Sequence, residues 1–137
     1  MKKLKIAVIG AGFWGRNHIR VLSELPQADL VAVCDINKQR AEGISKKYNI
    51  KSYADSRELY REEDFDAVTI CVWSTNLFQK AMEALNARKH VFVEKPMASR
   101  VTEAEKMLET ARSEGLHLTV GFIERFNPAV RRLKKSI

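Results

Sequence analysis

Short apolar runs alternate with amphipathic stretches between residues 4 and 135. The runs have the length and composition of buried strands, and they occupy residues 4–9, 30–34, 67–72, 90–93 and 116–120, with a shorter and more polar strand at 51–53. The remaining stretches have helical spacing or helix-end signals, and they occupy residues 17–25, 37–48, 55 onwards, 75–87, 102–113 and 127–135. Strands that alternate with helices form parallel sheets with helices on both faces. The sequence therefore predicts an α/β fold with a doubly wound, mostly parallel sheet in a single domain.

Capping signals indicate where two of these helices begin. A capping box pairs an N-cap oxygen with a glutamate three residues later. Asp55 with Glu58 has this spacing, and so has Thr102 with Glu105. We therefore expect Asp55 and Thr102 to be N-cap residues.

The net charge of +7 does not point to a nucleic-acid partner once it is located along the chain. Lys2, Lys3 and Lys5 together with the basic residues of 125–137 account for the whole excess, and residues 6–124 are close to neutral. No nucleic-acid-binding motif accompanies these charges. The longest apolar run, residues 6–15, is shorter than the ~18 residues that a membrane span needs. We expect no nucleic acid, no membrane partner and a cytoplasmic location.

The two cysteines and three histidines give no sign of a metal site. Cys34 and Cys71 each end or interrupt a predicted strand, and neither has a cysteine or histidine at metal-ligand spacing. In a doubly wound sheet their strands flank the first strand and lie about 9.5 Å apart, beyond the ~7 Å limit for a disulfide. We expect two free thiols and no metal.

A glycine motif, Gly10-Ala-Gly12-Phe-Trp-Gly15, follows the first predicted strand directly and opens the first helix. In dinucleotide-binding folds the first glycine permits a tight turn, the second lets backbone approach a pyrophosphate, and the third lets helix and strand pack closely. The free N–H groups of the helix favour an anion there. The motif therefore indicates a Rossmann-like cofactor site whose candidate residues are Gly10, Gly12, Phe13, Trp14 and Gly15.

Asp35 completes this fingerprint, because it lies 20 residues after Gly15 at the end of the second strand. Its carboxylate is placed to accept hydrogen bonds from the adenosine ribose hydroxyls. A carboxylate repels a 2′-phosphate, so Asp35 favours NAD over NADP. Lys38 and Arg40 follow closely and keep NADP open as the alternative.

A second motif, Glu94-Lys95-Pro96, follows the fifth predicted strand. The carboxyl ends of strands in an open α/β sheet border the ligand crevice. A lysine there can polarise a carbonyl or take part in proton transfer from a hydroxyl. The other reading is a surface lysine at a strand end that Pro96 terminates.

Four stretches in order resemble the glucose–fructose oxidoreductase and inositol dehydrogenase (Gfo/Idh/MocA) family: GAGFWG, CD, HVFVEKPMA and VGFIERFNPAV. The resemblance implies that Lys95 is the catalytic lysine, in contact with the substrate hydroxyl and the nicotinamide ribose. It implies that Glu94 lies against the cofactor and that the loop of Ser74, Thr75 and Asn76 faces the nicotinamide.

The resemblance also implies a domain organisation. Residues 1–121 would form the NAD(P)-binding domain, and residues 122–137 would begin the crossover to a second α/β domain. In family members that domain supplies substrate and oligomer contacts, so we expect this chain alone to be inactive and the longer protein to be a homo-oligomer.

The expected activity is hydride transfer between NAD(P) and a sugar CH–OH group. GFIERFNPAV is similar to members that oxidise C3 of a UDP-N-acetyl sugar. The alternative is a non-catalytic NAD(P)-sensing or nucleotide-binding module, which would keep the glycine motif and Asp35 but would not need Lys95.

Two positions depart from the family pattern. Leu77 and Phe78 occupy a place where members often carry histidine, and Arg88 lies in a turn that usually carries glycine. The first departure concerns the roles that the resemblance implies for the cofactor loop. The second concerns only the local structure of the turn before the fifth strand.

Overall fold

The structure, a computed structural model that describes residues 2–137, contains one six-stranded sheet in the order β3-β2-β1-β4-β5-β6. Every neighbouring pair of strands is parallel. The strands are β1 (Leu4–Ile9), β2 (Ala28–Cys34), β3 (Lys51–Tyr53), β4 (Ala67–Ile70), β5 (His90–Val93) and β6 (Leu118–Val120). The doubly wound α/β fold predicted from the sequence is confirmed.

Six α-helices connect or follow these strands: α1 (Phe13–Glu24), α2 (Lys38–Tyr48), α3 (Ser56–Glu62), α4 (Ser74–Asn86), α5 (Val101–Ser113) and α6 (Pro128–Lys135). A short 3-10 helix, Ile123–Phe126, precedes α6. The side chains of α6 and of this 3-10 helix are all exposed.

Helices cover both faces of the sheet. Leu59 of α3, Leu77 of α4 and Met107 of α5 belong to the larger core, which they share with alternate residues of the strands. Ile19 of α1 and Ile44 of α2 belong to the smaller core on the opposite face. In the described part of the chain, α1 and α2 leave β4, β5 and β6 uncovered on their side, where an open cleft of about 460 Å³ lies. Along β1 the side chains alternate between the two cores, with Ala7 and Ile9 in the larger core and Val8 in the smaller one.

The two predicted capping boxes have different outcomes. Asp55 is the N-cap of α3, and its Oδ1 accepts a hydrogen bond from the Arg57 N–H at 2.9 Å. The prediction for Thr102 is wrong, because α5 begins at Val101 with Arg100 at the N-cap. There Glu103 accepts hydrogen bonds from the Ser99 N–H and the Arg100 guanidinium, so a different acidic residue fills the capping role.

The strand order separates the two cysteines, since β2 and β4 lie on either side of β1. Both cysteines are free thiols. Burial raises the pKa of the Cys34 thiol and of the Cys71 thiol to about 12, well above the usual value for cysteine.

Thiol titration without reductant tests this arrangement. The unfolded protein should give two thiols per chain. The folded protein should react slowly at pH 8, because the raised pKa leaves little reactive thiolate. A monomer that gave no thiols after unfolding would contradict the strand order.

Residues 2–137 contain neither a membrane-spanning helix nor a cluster of metal-ligating side chains. None of the helices there is long and apolar enough to cross a bilayer. No three histidine, cysteine, aspartate or glutamate side chains in that range come together as metal ligands would.

Candidate functional site

The turn after β1 joins the carboxyl ends of three strands. Gly10 adopts a φ of +90°, which favours glycine, and its N–H donates to the Cys34 carbonyl at 2.8 Å. A Cβ on Gly10 would lie 2.6 Å from the Cys71 carbonyl oxygen, which follows β4. The backbone therefore turns here in a space that no side chain could share.

The other two glycines of the motif differ in what surrounds them. A Cβ on Gly15 would lie 1.8 Å from the Gly10 carbonyl oxygen, so α1 packs directly against the turn. A Cβ on Gly12 would have no atom within 4 Å. Gly12 is also the N-cap of α1 and has no side chain to cap the first N–H groups of the helix. The positive end of α1 is thus bare and open, as an anion site requires.

A cleft of about 720 Å³ lies in front of this helix end. Several residues predicted as cofactor ligands line it: Gly10, Gly12, Phe13, Trp14, Asp35 and Asn76. Three large apolar side chains on its rim are mostly exposed, with Phe13 at 79%, Ile36 at 94% and Trp73 at 84%. Such exposed apolar surfaces beside a bare helix end suit a ligand that has both anionic and flat aromatic parts.

Asp35 is buried at the floor of the cleft, at 5% exposure. Its Oδ2 accepts the Ala11 N–H at 2.7 Å, and its Oδ1 accepts the Asn37 N–H at 2.8 Å. The Arg40 guanidinium lies 3.3 and 3.4 Å from the two oxygens. Asp35 therefore fixes the glycine turn itself, and Arg40 makes the longest of its hydrogen bonds.

Lys95 and Glu94 lie at the carboxyl end of β5 but face different surroundings. Lys95 is exposed, and its ammonium has no hydrogen bond or ion pair within the described chain; the Lys95–Pro96 peptide bond is cis. The Glu94 carboxylate turns to the α1 side of the sheet, where its Oε1 lies 2.8 Å from Nε2 of His18. Glu94 lines the open cleft beside β5 rather than the cleft beside Gly12.

The loop before α4 contributes only part of the predicted set. Asn76 lines the cleft beside Gly12, together with Trp73. Ser74 and Thr75 form the first turn of α4 and are outside the cleft lining. Lys80, one turn further along α4, also lines the cleft, and its ammonium binds Ser56 Oγ at 2.8 Å and Glu83 Oε2 at 2.9 Å.

Comparison with known proteins identifies the family to which this chain belongs. Residues 4–122 match the model of the oxidoreductase family with an NAD-binding Rossmann fold. The chain belongs to this family. Its members bind NAD in a domain of this architecture, so NAD is the cofactor of the Rossmann domain described here.

Relatives and solved structures in this family resemble the chain over nearly all its length. An uncharacterised oxidoreductase of Bacillus subtilis, YrbE, is 33% identical over 99% of this chain and 40% of its own. The scyllo-inositol dehydrogenase of Lactobacillus casei, solved with NAD(H) and scyllo-inositol, matches with a TM-score of 0.91 at 28% identity, over 98% of this chain and 40% of that one. The UDP-N-acetylglucosamine 3-dehydrogenase GnnA of Acidithiobacillus ferrooxidans matches with a TM-score of 0.89 at 29% identity, over 99% and 44%. The chain thus spans about two fifths of the length of these proteins.

Sequence reasoning missed several residues of the site region, among them Lys80, Ile36 and His18. Ile36 follows Asp35 directly, and a single exposed isoleucine gives no pattern to detect. His18 lies on α1 and meets Glu94, which is 76 residues away, only through the order of the strands. The sequence indicated only that His18 lies about one turn after Gly15, on the helix that the glycine motif opens.

Proposed function

We propose that this chain binds NAD across the cleft beside Gly12 and serves an oxidoreductase that removes hydride from a sugar CH–OH group. The observation that carries the proposal is the bare amino end of α1, where Gly12 leaves open space in front of uncapped N–H groups. A pyrophosphate fits this place because the N–H groups and the helix dipole both favour an anion.

The remaining parts of NAD have complementary surfaces along the same cleft. We place the adenosine ribose at Asp35, where its hydroxyls would replace the long contacts of Arg40 with the carboxylate. The exposed Ile36 would cover one face of the adenine. Trp73 and Asn76, at the opposite end, would border the nicotinamide. Phe13 and Trp14 would flank the pyrophosphate as the first residues of α1.

Lys95 is the proposed catalytic residue. It is exposed at the carboxyl end of β5, and its ammonium is free to bind an external oxygen. When bound, NAD supplies the hydride acceptor, and the protein supplies positioning and electrostatics. Lys95 would hold the substrate hydroxyl and assist the departure of its proton.

The substrate and assembly of the longer protein are proposed from its relatives. One solved relative binds scyllo-inositol and another is named for the 3-position of UDP-N-acetylglucosamine, so a cyclic polyol or nucleotide sugar fits best. We propose that residues 1–121 are the cofactor domain and that residues 122–137 lead into a substrate domain, as the exposed α6 allows. Self-association of the longer protein stays a prediction. The two free thiols, Cys34 and Cys71, support the cytoplasm as its location.

A non-catalytic NAD-sensing module is the competing function. It needs the glycine turn and Asp35 but has no use for an exposed, unpartnered lysine at the end of β5. Lys95 therefore favours the enzyme.

Calorimetric titration with NADH tests the cofactor site directly. Gly12→Val should weaken binding by about tenfold or more, because its side chain would occupy the space proposed for the pyrophosphate. Gly43→Val is the matched control, since Gly43 is exposed on α2 and a Cβ there also meets no atom within 4 Å. Equal NADH affinity in both variants would remove the site from this cleft.

A further inference from the structure

The carboxylate of Glu94 is mostly buried on the α1 side of the sheet, at the open cleft beside β5. Its Oε1 lies 2.8 Å from Nε2 of His18, and a Cβ on Gly121 would lie 2.9 Å from the same oxygen. The side chains of His18 and Glu94 are only 20% and 13% exposed. The His18 ring also packs on Phe92, with ring centroids 5.4 Å apart. Glu94 thus has one side-chain partner, His18, and both side chains are mostly buried.

This contact joins the two ends of the proposed cofactor site. His18 is on the second turn of α1, the helix whose amino end would bind the pyrophosphate. Glu94 directly precedes Lys95, and its Oε2 also accepts the Lys95 N–H at 3.3 Å. A carboxylate only accepts hydrogen bonds, so the Nε2–H of His18 is the donor. The hydrogen bond therefore connects α1 to the backbone that carries Lys95.

We propose that His18 is a positioning residue, which fixes Lys95 relative to the glycine turn by holding the Glu94 carboxylate. The inference rests on the proposed NAD site, because it assigns the His18 contact to the nicotinamide end of that site. The position of α1 itself does not depend on His18, since Ile19 and Gly15 are buried in the core and against the turn. Loss of the contact should therefore free the end of β5 more than it disturbs α1.

A comparison of two ligands distinguishes a positioning role of His18 from a general effect on the stability of the protein. NADH would occupy both ends of the site, whereas ADP lacks both the nicotinamide and its ribose and leaves the Lys95 end empty. His18→Ala should weaken NADH binding by about fivefold to tenfold, the scale of one lost hydrogen bond, and ADP binding by less than about twofold. His18→Gln should recover most of the NADH affinity, because its amide N–H can still donate to Glu94.

Further variants test the role of Glu94 by changing other residues near it. Gly121→Ala leaves His18 unchanged but places a Cβ against Glu94, so it should produce the same selective loss of NADH affinity. Lys95→Ala should also weaken NADH binding selectively. Adding His18→Ala to it should cause little further loss of NADH affinity, because both substitutions act through the Lys95 side chain. Gly43→Ala, on the exposed side of α2, is the control. Melting temperatures identify any variant that fails to fold, and Gly121→Ala then carries the test.

The outcomes are distinguishable. Equal weakening of NADH and ADP binding in His18→Ala would overturn the positioning role, as would a glutamine variant no better than alanine. Full additivity of the His18 and Lys95 variants would overturn it too. If the unsubstituted protein bound neither ligand, the proposed NAD site itself would fail, which is a different result.

Discussion

Replacing Gly15 with alanine is expected to lower the free energy of unfolding by about 3 kcal/mol, at the upper end of the usual effect of overpacking. The added Cβ would lie 1.8 Å from the Gly10 carbonyl oxygen and 2.8 Å from its carbon. Both atoms belong to the backbone, so no rotamer change can relieve the clash. Helix α1 must move away from the turn, and denaturant unfolding measures the cost.

Gly43→Ala is the control for the same substitution on open surface. Gly43 lies inside α2 with no atom near its added Cβ, so alanine there should raise stability by about 0.5–1 kcal/mol through helix propensity. The two variants should thus shift unfolding in opposite directions. A Gly15→Ala protein as stable as the unsubstituted one would show that α1 and the turn are not in contact.

The fold was predictable because its signals are local and repeated. The predicted bounds of β1, β3 and β5 agree with the structure to the residue. The strand order follows from alternation of strands and helices with right-handed crossovers, which leave few topologies. The apolar pattern along the strands and helices therefore predicted the sheet, the helices on both of its faces and the separation of Cys34 from Cys71.

The first residues of the helices were harder to predict than the strands, because the apolar periodicity of a helix does not always extend to its first turn. Helix α1 begins at Phe13, four residues before the predicted start at residue 17. Its first turn carries two exposed aromatic side chains beside the cleft, so the apolar spacing that indicates a core-facing helix begins only further along. At α5 the predicted N-cap was Thr102, but the helix begins at Val101 after Arg100 in extended backbone, and Glu103 accepts the hydrogen bonds at this end.

The two departures from the family pattern have structural explanations. Arg88 adopts a φ of 58°, the left-handed conformation for which glycine is the usual residue. The N–H groups of Arg88 and Lys89 bond to carbonyls in the last turn of α4, so this conformation ends the helix. Leu77 is 1% exposed in the larger core, which shows that its place on α4 faces away from the cleft.

The candidate site was predictable in type but not in its internal contacts. The spacing of the glycines and Asp35 indicated a dinucleotide cleft, and most of these residues do line one. The sequence could not show that Glu94 turns away from that cleft toward His18. Contacts of this kind depend on rotamers and on residues far apart in the chain.

Asp35 illustrates the same limit, because its carboxylate has a structural partner that the motif does not reveal. Ala11 is fully buried, and its N–H donates to Oδ2 of Asp35 at 2.7 Å. A buried N–H without an acceptor is costly. Substitution of Asp35 therefore affects the glycine turn as well as any ribose contact.

Asp35→Ser should lower the free energy of unfolding by about 2–3 kcal/mol, since hydrogen bonds from Ala11 and Asn37 to a charged acceptor are lost. It should also improve NADP binding relative to NAD by about tenfold, because a repulsive carboxylate is removed and Arg40 is released toward the cleft. Denaturant unfolding measures the first effect and calorimetry with both cofactors the second. The matched double variant, Asp35→Ser with Arg40→Ala, should show the same loss of stability but a smaller gain in NADP affinity. An unchanged ratio of NADP to NAD affinity in Asp35→Ser would mean that the ribose binds elsewhere, and Asp35 would then serve only the glycine turn.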